Sequence, residues 1–202
     1  MRLVLPLAAL LLAVPAVAQM PAAPPGKQDR SAVKAGTYKV DPNHTQVVWQ
    51  VNHMGFSMLE GMFGASEGTL TLDPARPQAS KLSVTFPIDQ LSVTSDRFAE
   101  HLKSPDFFNA AQFPEGRFES TAVRVNGNQA TITGNLTLKG VTKPVTLQAR
   151  FVGAGVNPMN KKTNFGFRAT GQIKRSDFGL GMAAPVVSDT VDLSINAAFE
   201  EA

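Results

Sequence analysis

The chain has 202 residues, of which 43% are hydrophobic and 17% are charged, an ordinary globular composition that suits one sizeable domain. Its 19 basic and 16 acidic residues give a formal net charge of +3, and this small, scattered excess argues against a nucleic acid as partner. The chain contains no cysteine, which excludes disulfides, thiolate nucleophiles and sulfur ligands for a metal.

The first 18 residues have the features of a secretory signal peptide. Arg2 supplies a positive charge, an apolar run extends from Leu3 to Val14, and Ala16-Val17-Ala18 is a small-residue cleavage signal. The apolar run is shorter than the roughly 20 residues that a membrane-spanning helix needs, and no later run is as long. We therefore predict an exported protein with no transmembrane segment after signal removal.

Residues 19–36 are rich in proline, alanine and glycine and show no apolar periodicity. Such a composition predicts a flexible linker. The folded domain is then expected over residues 37–200.

Apolar and polar residues alternate with a period of two through most of this domain, as in strands with one apolar face. Turn residues separate the runs, and Asn126-Gly127-Asn128 is typical of a hairpin. The clearest runs lie at 47–51, 70–72, 82–88, 132–138, 145–151, 165–173 and 191–199.

One segment departs from this alternation in a helical way. Phe98 and Leu102 are four residues apart between Ser95 and Lys103, which predicts a short helix ending near Ser104-Pro105. A second segment, from Met58 to Gly64, is predicted to be irregular. The fold class is therefore all-β, with about eight antiparallel strands and one short helix in a closed up-and-down barrel or a sandwich.

The charged residues on the strands indicate which strand face points outward. The polar faces carry residues such as Arg117, Arg150 and Asp192, which would be costly against lipid. We therefore predict a soluble barrel with its apolar residues inside. Alternation alone leaves open whether these residues fill a solid core or line a ligand cavity.

Several short motifs occur in a defined order along the chain. The longest are HLKSPDFF at 101–108, GNLTLKGVTKPV at 134–145 and IKRSDFG at 173–179, preceded by YKVDP at 38–42, VNHMGF at 51–56 and GMFG at 61–64. Together, over Thr37 to Glu200, they resemble the YceI-like family of periplasmic, lipocalin-like polyisoprenoid-binding proteins. The sequence departs from the family pattern at Phe98-Ala99, where an Arg-Asp pair is common.

The resemblance implies an eight-stranded antiparallel lipocalin-like barrel with a long internal pocket. It also implies a periplasmic protein that binds or carries a long-chain isoprenoid lipid, such as a polyprenyl phosphate or a quinone, without a resident cofactor and without catalysis. Burial of a hydrocarbon tail is favourable by about 0.8 kcal/mol per CH₂, so an apolar cavity can hold such a chain tightly.

Two alternatives stay open. The protein could be an enzyme that acts on an isoprenoid or quinone in the pocket, or a stress-related protein whose barrel core is filled. A homodimer through the exposed barrel ends is possible under each reading.

The candidate site residues follow from the alternation and the motifs. Cationic or hydrogen-bonding candidates for a lipid head group are His53, Arg97, His101 and Arg175. The three histidines have no metal-ligand spacing, so no metal site is predicted. The predicted pocket lining is Val47, Trp49, Val51, Met54, Phe56, Phe63, Leu70, Phe86, Leu136, Leu138, Leu147, Phe165, Phe167, Leu193 and Ile195.

Overall fold

A computed structural model describes residues 23–202, so the predicted signal peptide and the start of the predicted linker lie outside the described residues. The described part contains one α-helix, α1 (Asp96–Lys103), and three short 3-10 turns at Arg30–Ala32, Pro77–Ala79 and Arg175–Phe178. Its ten strands are β1 (Gly36–Val40), β2 (Gln46–His53), β3 (Ser57–Gly64), β4 (Glu67–Leu72), β5 (Lys81–Pro87), β6 (Glu115–Asn126), β7 (Gln129–Leu138), β8 (Val141–Val156), β9 (Thr163–Lys174) and β10 (Thr190–Glu201).

The strands close into one antiparallel barrel. Strands β4 to β10 pair in sequence order, and β1 pairs with both β4 and β10, which joins the two ends of the sheet. β2 lies along the same edge of β10 as β1, since Val40 pairs with Phe199 and Gln46 pairs with Asn196. β3 pairs with β2 and leads directly into β4. The ten segments therefore occupy eight strand positions, which confirms the predicted eight-stranded barrel.

The alternation along β8 shows which face points inward. Val145, Leu147 and Ala149 are buried, whereas Thr146 and Gln148 between them are exposed. Two apolar clusters form along the interior, one around Trp49, Phe86 and Phe118 and the other around Tyr38, Phe165 and Phe199. The predicted orientation, with apolar residues inside, is therefore correct.

The predicted short helix is also confirmed. The Ser95 side chain caps α1 by accepting a hydrogen bond from the Phe98 N–H at 3.3 Å, as Ser commonly does at this position. The helix ends at Lys103, and its one buried residue is Leu102. It packs this residue against the larger core cluster at one end of the barrel.

Two expectations about irregular segments need correction. Residues 58–64 are a regular strand, because β3 pairs with β2 along its whole length. The predicted linker over 19–36 is too long at its C-terminal end, because Lys27 bonds to Ala154, Val33 is buried and β1 begins at Gly36. Composition alone did not reveal these tertiary contacts.

Candidate functional site

The barrel interior is hollow and contains two apolar chambers. The first has a volume of about 310 Å³ and lies at the end of the barrel covered by α1. The second has a volume of about 490 Å³ and extends towards the end of the barrel that carries the β6–β7 hairpin and the β4–β5 loop. Both volumes are in the range of ordinary small-molecule sites.

The two chambers meet at a waist in the middle of the barrel. We define the waist by the side chains that line both chambers, which come from β2, β5, β6, β8 and β10. These residues are Val47, Phe86, Phe118, Leu147 and Ile195.

Glycines on the barrel wall explain how large aromatic residues leave this space free. Three interior rings lie against a glycine of a neighbouring strand, at a place where a Cβ atom would come within 2.2–2.4 Å of the ring. Each glycine therefore lets its ring rest against the wall instead of projecting into the lumen. The pairs are Trp49 with Gly61, Phe86 with Gly116, and Phe118 with Gly134.

Arg175 is a buried cation at the lining of the first chamber, with 8% of its surface exposed. Its Nε donates to the Ser188 carbonyl at 2.9 Å and its Nη2 to the Val187 carbonyl at 2.8 Å. Its Nη1 donates to the carbonyls of Leu180 and Met182. Four of the five guanidinium hydrogens are thus used to hold the loop between β9 and β10, which leaves one on Nη2.

The electrostatic surroundings of Arg175 are unusual for a buried charge. Burial lowers the pKa of the guanidinium, and within residues 23–202 no carboxylate lies at ion-pair distance from it. The nearby Asp189 carboxylate instead accepts hydrogen bonds from the Ser176 hydroxyl at 2.8 Å and the Ser176 N–H at 2.9 Å. These bonds lower the pKa of Asp189. A positive charge therefore remains at this wall of the chamber.

The other head-group candidates occupy different places. His53 and His101 both line the first chamber, and His101 packs edge-on against Phe107 with ring centroids 4.8 Å apart. Arg97 is exposed on α1, outside the lining of either chamber. The geometry therefore brings three of the four candidates to one chamber, and their contact with a head group stays a prediction.

Most of the predicted lining residues do face the interior. Leu70 and Phe167 line the second chamber, and Phe165 is buried in the aromatic cluster beside it. Those that line the first chamber or the waist are Val47, Trp49, Val51, Phe63, Phe86, Leu136, Leu138, Leu147, Leu193 and Ile195.

Met54 and Phe56 are not lining residues, contrary to the sequence prediction. They lie in the β2–β3 hairpin, where they are 47% and 85% exposed. The turn residues Met54 and Gly55 have φ values of 61° and 72°, and this reversal directs the chain away from the barrel interior.

Sequence reasoning missed lining residues that lie outside the strands. Phe98 and Leu102 reach the first chamber from α1, and Phe107 and Phe108 reach it from the turn that follows. The motif HLKSPDFF contained three of these four residues, but no strand periodicity indicated their direction. Leu180 and Val187 also line the chamber, from the β9–β10 loop.

Two further features bear on the class of protein. In the part of the chain from residue 23 onwards, no helix has the length and apolar character needed to cross a bilayer. Within the same residues, no three His, Asp or Glu side chains are grouped as a metal site would require.

Comparison with known proteins gives the family. Residues 38–199 match the YceI-like domain. The chain belongs to the YceI-like family. Protein YceI of Escherichia coli O6:H1 is 40% identical over 164 residues, which cover 80% of this chain and 85% of that relative.

Solved structures agree with this YceI-like fold. BcnA of Burkholderia cenocepacia superposes with a TM-score of 0.68 and 24% identity, over 79% of this chain and 98% of BcnA. A polyisoprenoid binding domain from Saccharophagus degradans superposes with a TM-score of 0.59 and 12% identity, over 82% of this chain and 98% of that domain. At these identities the likeness concerns the barrel itself.

Proposed function

We propose that this YceI-like protein binds one long-chain isoprenoid lipid inside its barrel and carries it through the periplasm. The observation that carries the proposal is the first chamber, an apolar space inside a barrel whose aromatic residues rest against wall glycines. A flexible hydrocarbon chain gains about 0.8 kcal/mol for each buried CH₂, so this space needs no reactive group to retain it.

The family supports a binding role. The neighbour from Saccharophagus degradans is described as a polyisoprenoid binding domain, and it shares the barrel. The hollow interior weighs against the alternative of a filled core, and the sequence offers no nucleophile–base pair that would favour an enzyme.

A polar or anionic head group would lie near the opening of the first chamber. His101 and Met182 line the chamber and are exposed, which supports an opening between α1 and the β9–β10 loop. The free Nη2 hydrogen and charge of Arg175 would suit an oxygen of a polyprenyl phosphate or a quinone. His53 would supply a further hydrogen-bonding group at the same chamber.

The test compares two substitutions of equal size on adjacent positions of β8. Val145 is buried and lines the first chamber, whereas Thr146 is exposed on the outer face. The full chain would be expressed with its N-terminal segment, recovered from the periplasmic fraction and analysed by native mass spectrometry with organic extraction. We expect an isoprenoid lipid in the wild type and in Thr146→Phe, and at least tenfold weaker binding in Val145→Phe because the new ring occupies the chamber.

Other results would contradict the proposal. A purified protein that is empty, and that takes up neither polyprenyl monophosphate nor ubiquinone, would overturn the carrier function. Conversion of the bound lipid to a new product by the pure protein would support the enzyme alternative instead.

A further inference from the structure

The segment before β1 forms a strap across the end of the barrel opposite α1. We define the strap as residues 27–34. At its start, Lys27 and Ala154 of β8 exchange two backbone hydrogen bonds of 2.9 and 2.8 Å, beyond the point where β7 ceases to pair with β8. Arg30 Nη1 then donates to the Gly127 carbonyl in the β6–β7 hairpin at 2.6 Å.

The other end of the strap is fixed at β1. Val33 is buried in the cluster that contains Phe151 and Phe199. The Tyr38 hydroxyl donates to the Lys34 carbonyl at 2.8 Å and accepts from the Lys34 N–H at 3.2 Å. β9 and β10 separate β8 from β1 in the ring, and between these two ends the strap contacts the β6–β7 hairpin and lines the second chamber, so it crosses the barrel end.

The sequence of β8 makes room for this crossing. A Cβ atom at Gly155 would lie 2.3 Å from the Pro25 carbonyl oxygen, and one at Gly153 would lie 3.0 Å from the Lys27 carbonyl oxygen. A side chain at Gly155 would push the chain outwards at Pro25, directly before the strap, and one at Gly153 would be tight against Lys27. The two glycines therefore fit a strap that is part of the folded protein.

The strap also forms part of the second chamber. Arg30, Ser31 and Val33 line it, together with Pro74, Pro77 and Asn128 of the neighbouring loops. The rest of the lining is mostly the apolar barrel interior beyond the waist. The second chamber thus adjoins the first at the waist, and the strap is part of its wall at the other end.

We propose that the second chamber is a binding site for the far end of the lipid chain, and that the strap is the stop that sets the longest chain the barrel accepts. This inference rests on the proposed function. A hydrocarbon chain offers no polar group to recognise along its length. The strap at the end of the second chamber is therefore the feature that can select a chain by its length. Affinity rises about fourfold for each methylene that is buried, until the chain meets the strap.

The test measures affinity against chain length with a graded series of polyprenyl monophosphates, from geranylgeranyl to undecaprenyl. Trp49, the one tryptophan of the chain, lines the first chamber and reports binding by its fluorescence. In the wild type we expect affinity to rise with length and then to stop rising. In Gly155→Val, whose side chain would displace Pro25 and Gly26 where the chain enters the strap, we expect the chain-length limit to shift to longer chains, with the affinity for the shortest chain unchanged.

Gly64→Val is the matched control, because a Cβ atom at Gly64 meets no atom within 4 Å. It should retain the wild-type chain-length limit.

Val33→Ala provides a second variant if Gly155→Val does not fold, and its smaller side chain should also move the chain-length limit upwards. Identical limits in all four proteins would overturn the strap proposal and leave the proposed function intact, whereas failure of every chain to bind the wild type would overturn both.

Discussion

Arg175 shows how burial determines what a single residue can do. In the sequence, this arginine was a candidate for contact with a head group. In the structure, its guanidinium donates to four backbone carbonyls between Leu180 and Ser188 and so holds the loop beside the first chamber. Its structural role is therefore to hold this loop, and any contact with ligand uses only its remaining hydrogen.

Replacement of this side chain should destabilise the fold. Arg175→Met removes the donors of several part-buried carbonyls, and we expect a loss of about 3 kcal/mol in the free energy of unfolding. Urea denaturation measures this loss, with Lys174→Met at the neighbouring exposed position as control. Full stability of Arg175→Met together with lost lipid binding would mean that the arginine serves the ligand alone.

At the scale of the element, the strands achieve a hollow interior by pairing large rings with glycines. Phe86 of β5 lies over Gly116 of β6, where a Cβ atom would be 2.3 Å from the ring and 2.9 Å from Leu138. Because Phe86 lines both chambers, the position of its ring affects the free space on both sides of the waist. Gly116 on β6 thus controls the free space in the barrel interior beside Phe86 of β5.

Gly116→Val should therefore close the waist. The valine would force the Phe86 ring into the lumen, and we expect a stability loss of about 1–3 kcal/mol from overpacking and weaker binding of long chains. The measurements are urea denaturation and titration by Trp49 fluorescence. The double variant Gly116→Val/Phe86→Ala should recover binding, and if it does not, displacement of the ring is not the cause.

At the scale of the whole molecule, the closed barrel gives every strand an inner and an outer face. Phe165 lies in the aromatic cluster with its ring centroid 4.7 Å from that of Tyr38 and 5.6 Å from that of Phe199. Arg150 is exposed on the outer face of β8, one position from buried Phe151. The fold should thus respond very differently to changes at Phe165 and at Arg150, which lie on opposite faces of the barrel wall.

Phe165→Asp should prevent stable folding, because an unpaired carboxylate in an apolar cluster costs about 4 kcal/mol or more. Arg150→Ser should alter the free energy of unfolding by less than about 0.5 kcal/mol, as is usual on an exposed surface. Circular dichroism during thermal denaturation distinguishes these outcomes. Similar stability in both variants would mean that the inner and outer faces are assigned wrongly.

The fold was largely predictable because strand alternation is a local signal. Each residue of β8 between Val145 and Phe151 carries its direction in its own hydrophobicity, and turns such as Asn126-Gly127-Asn128 mark where strands reverse. The helix was predictable from the four-residue spacing of Phe98 and Leu102, and the structure adds its Ser95 cap. The prediction of an irregular segment at 58–64 was wrong, because this stretch pairs with β2 as a strand and its Gly61 lies beneath the Trp49 ring.

The sequence by itself determined the barrel class, the inward face of most strands and, through its ordered motifs, the family. Only the tertiary structure decided that the interior is hollow, that Phe56 lies outside it, and that residues 27–34 cross its end. The physical reason is the range of the interactions. Alternation depends on neighbours along the chain, whereas a cavity, a covered glycine or a strap depends on side chains that meet only after the sheet has closed.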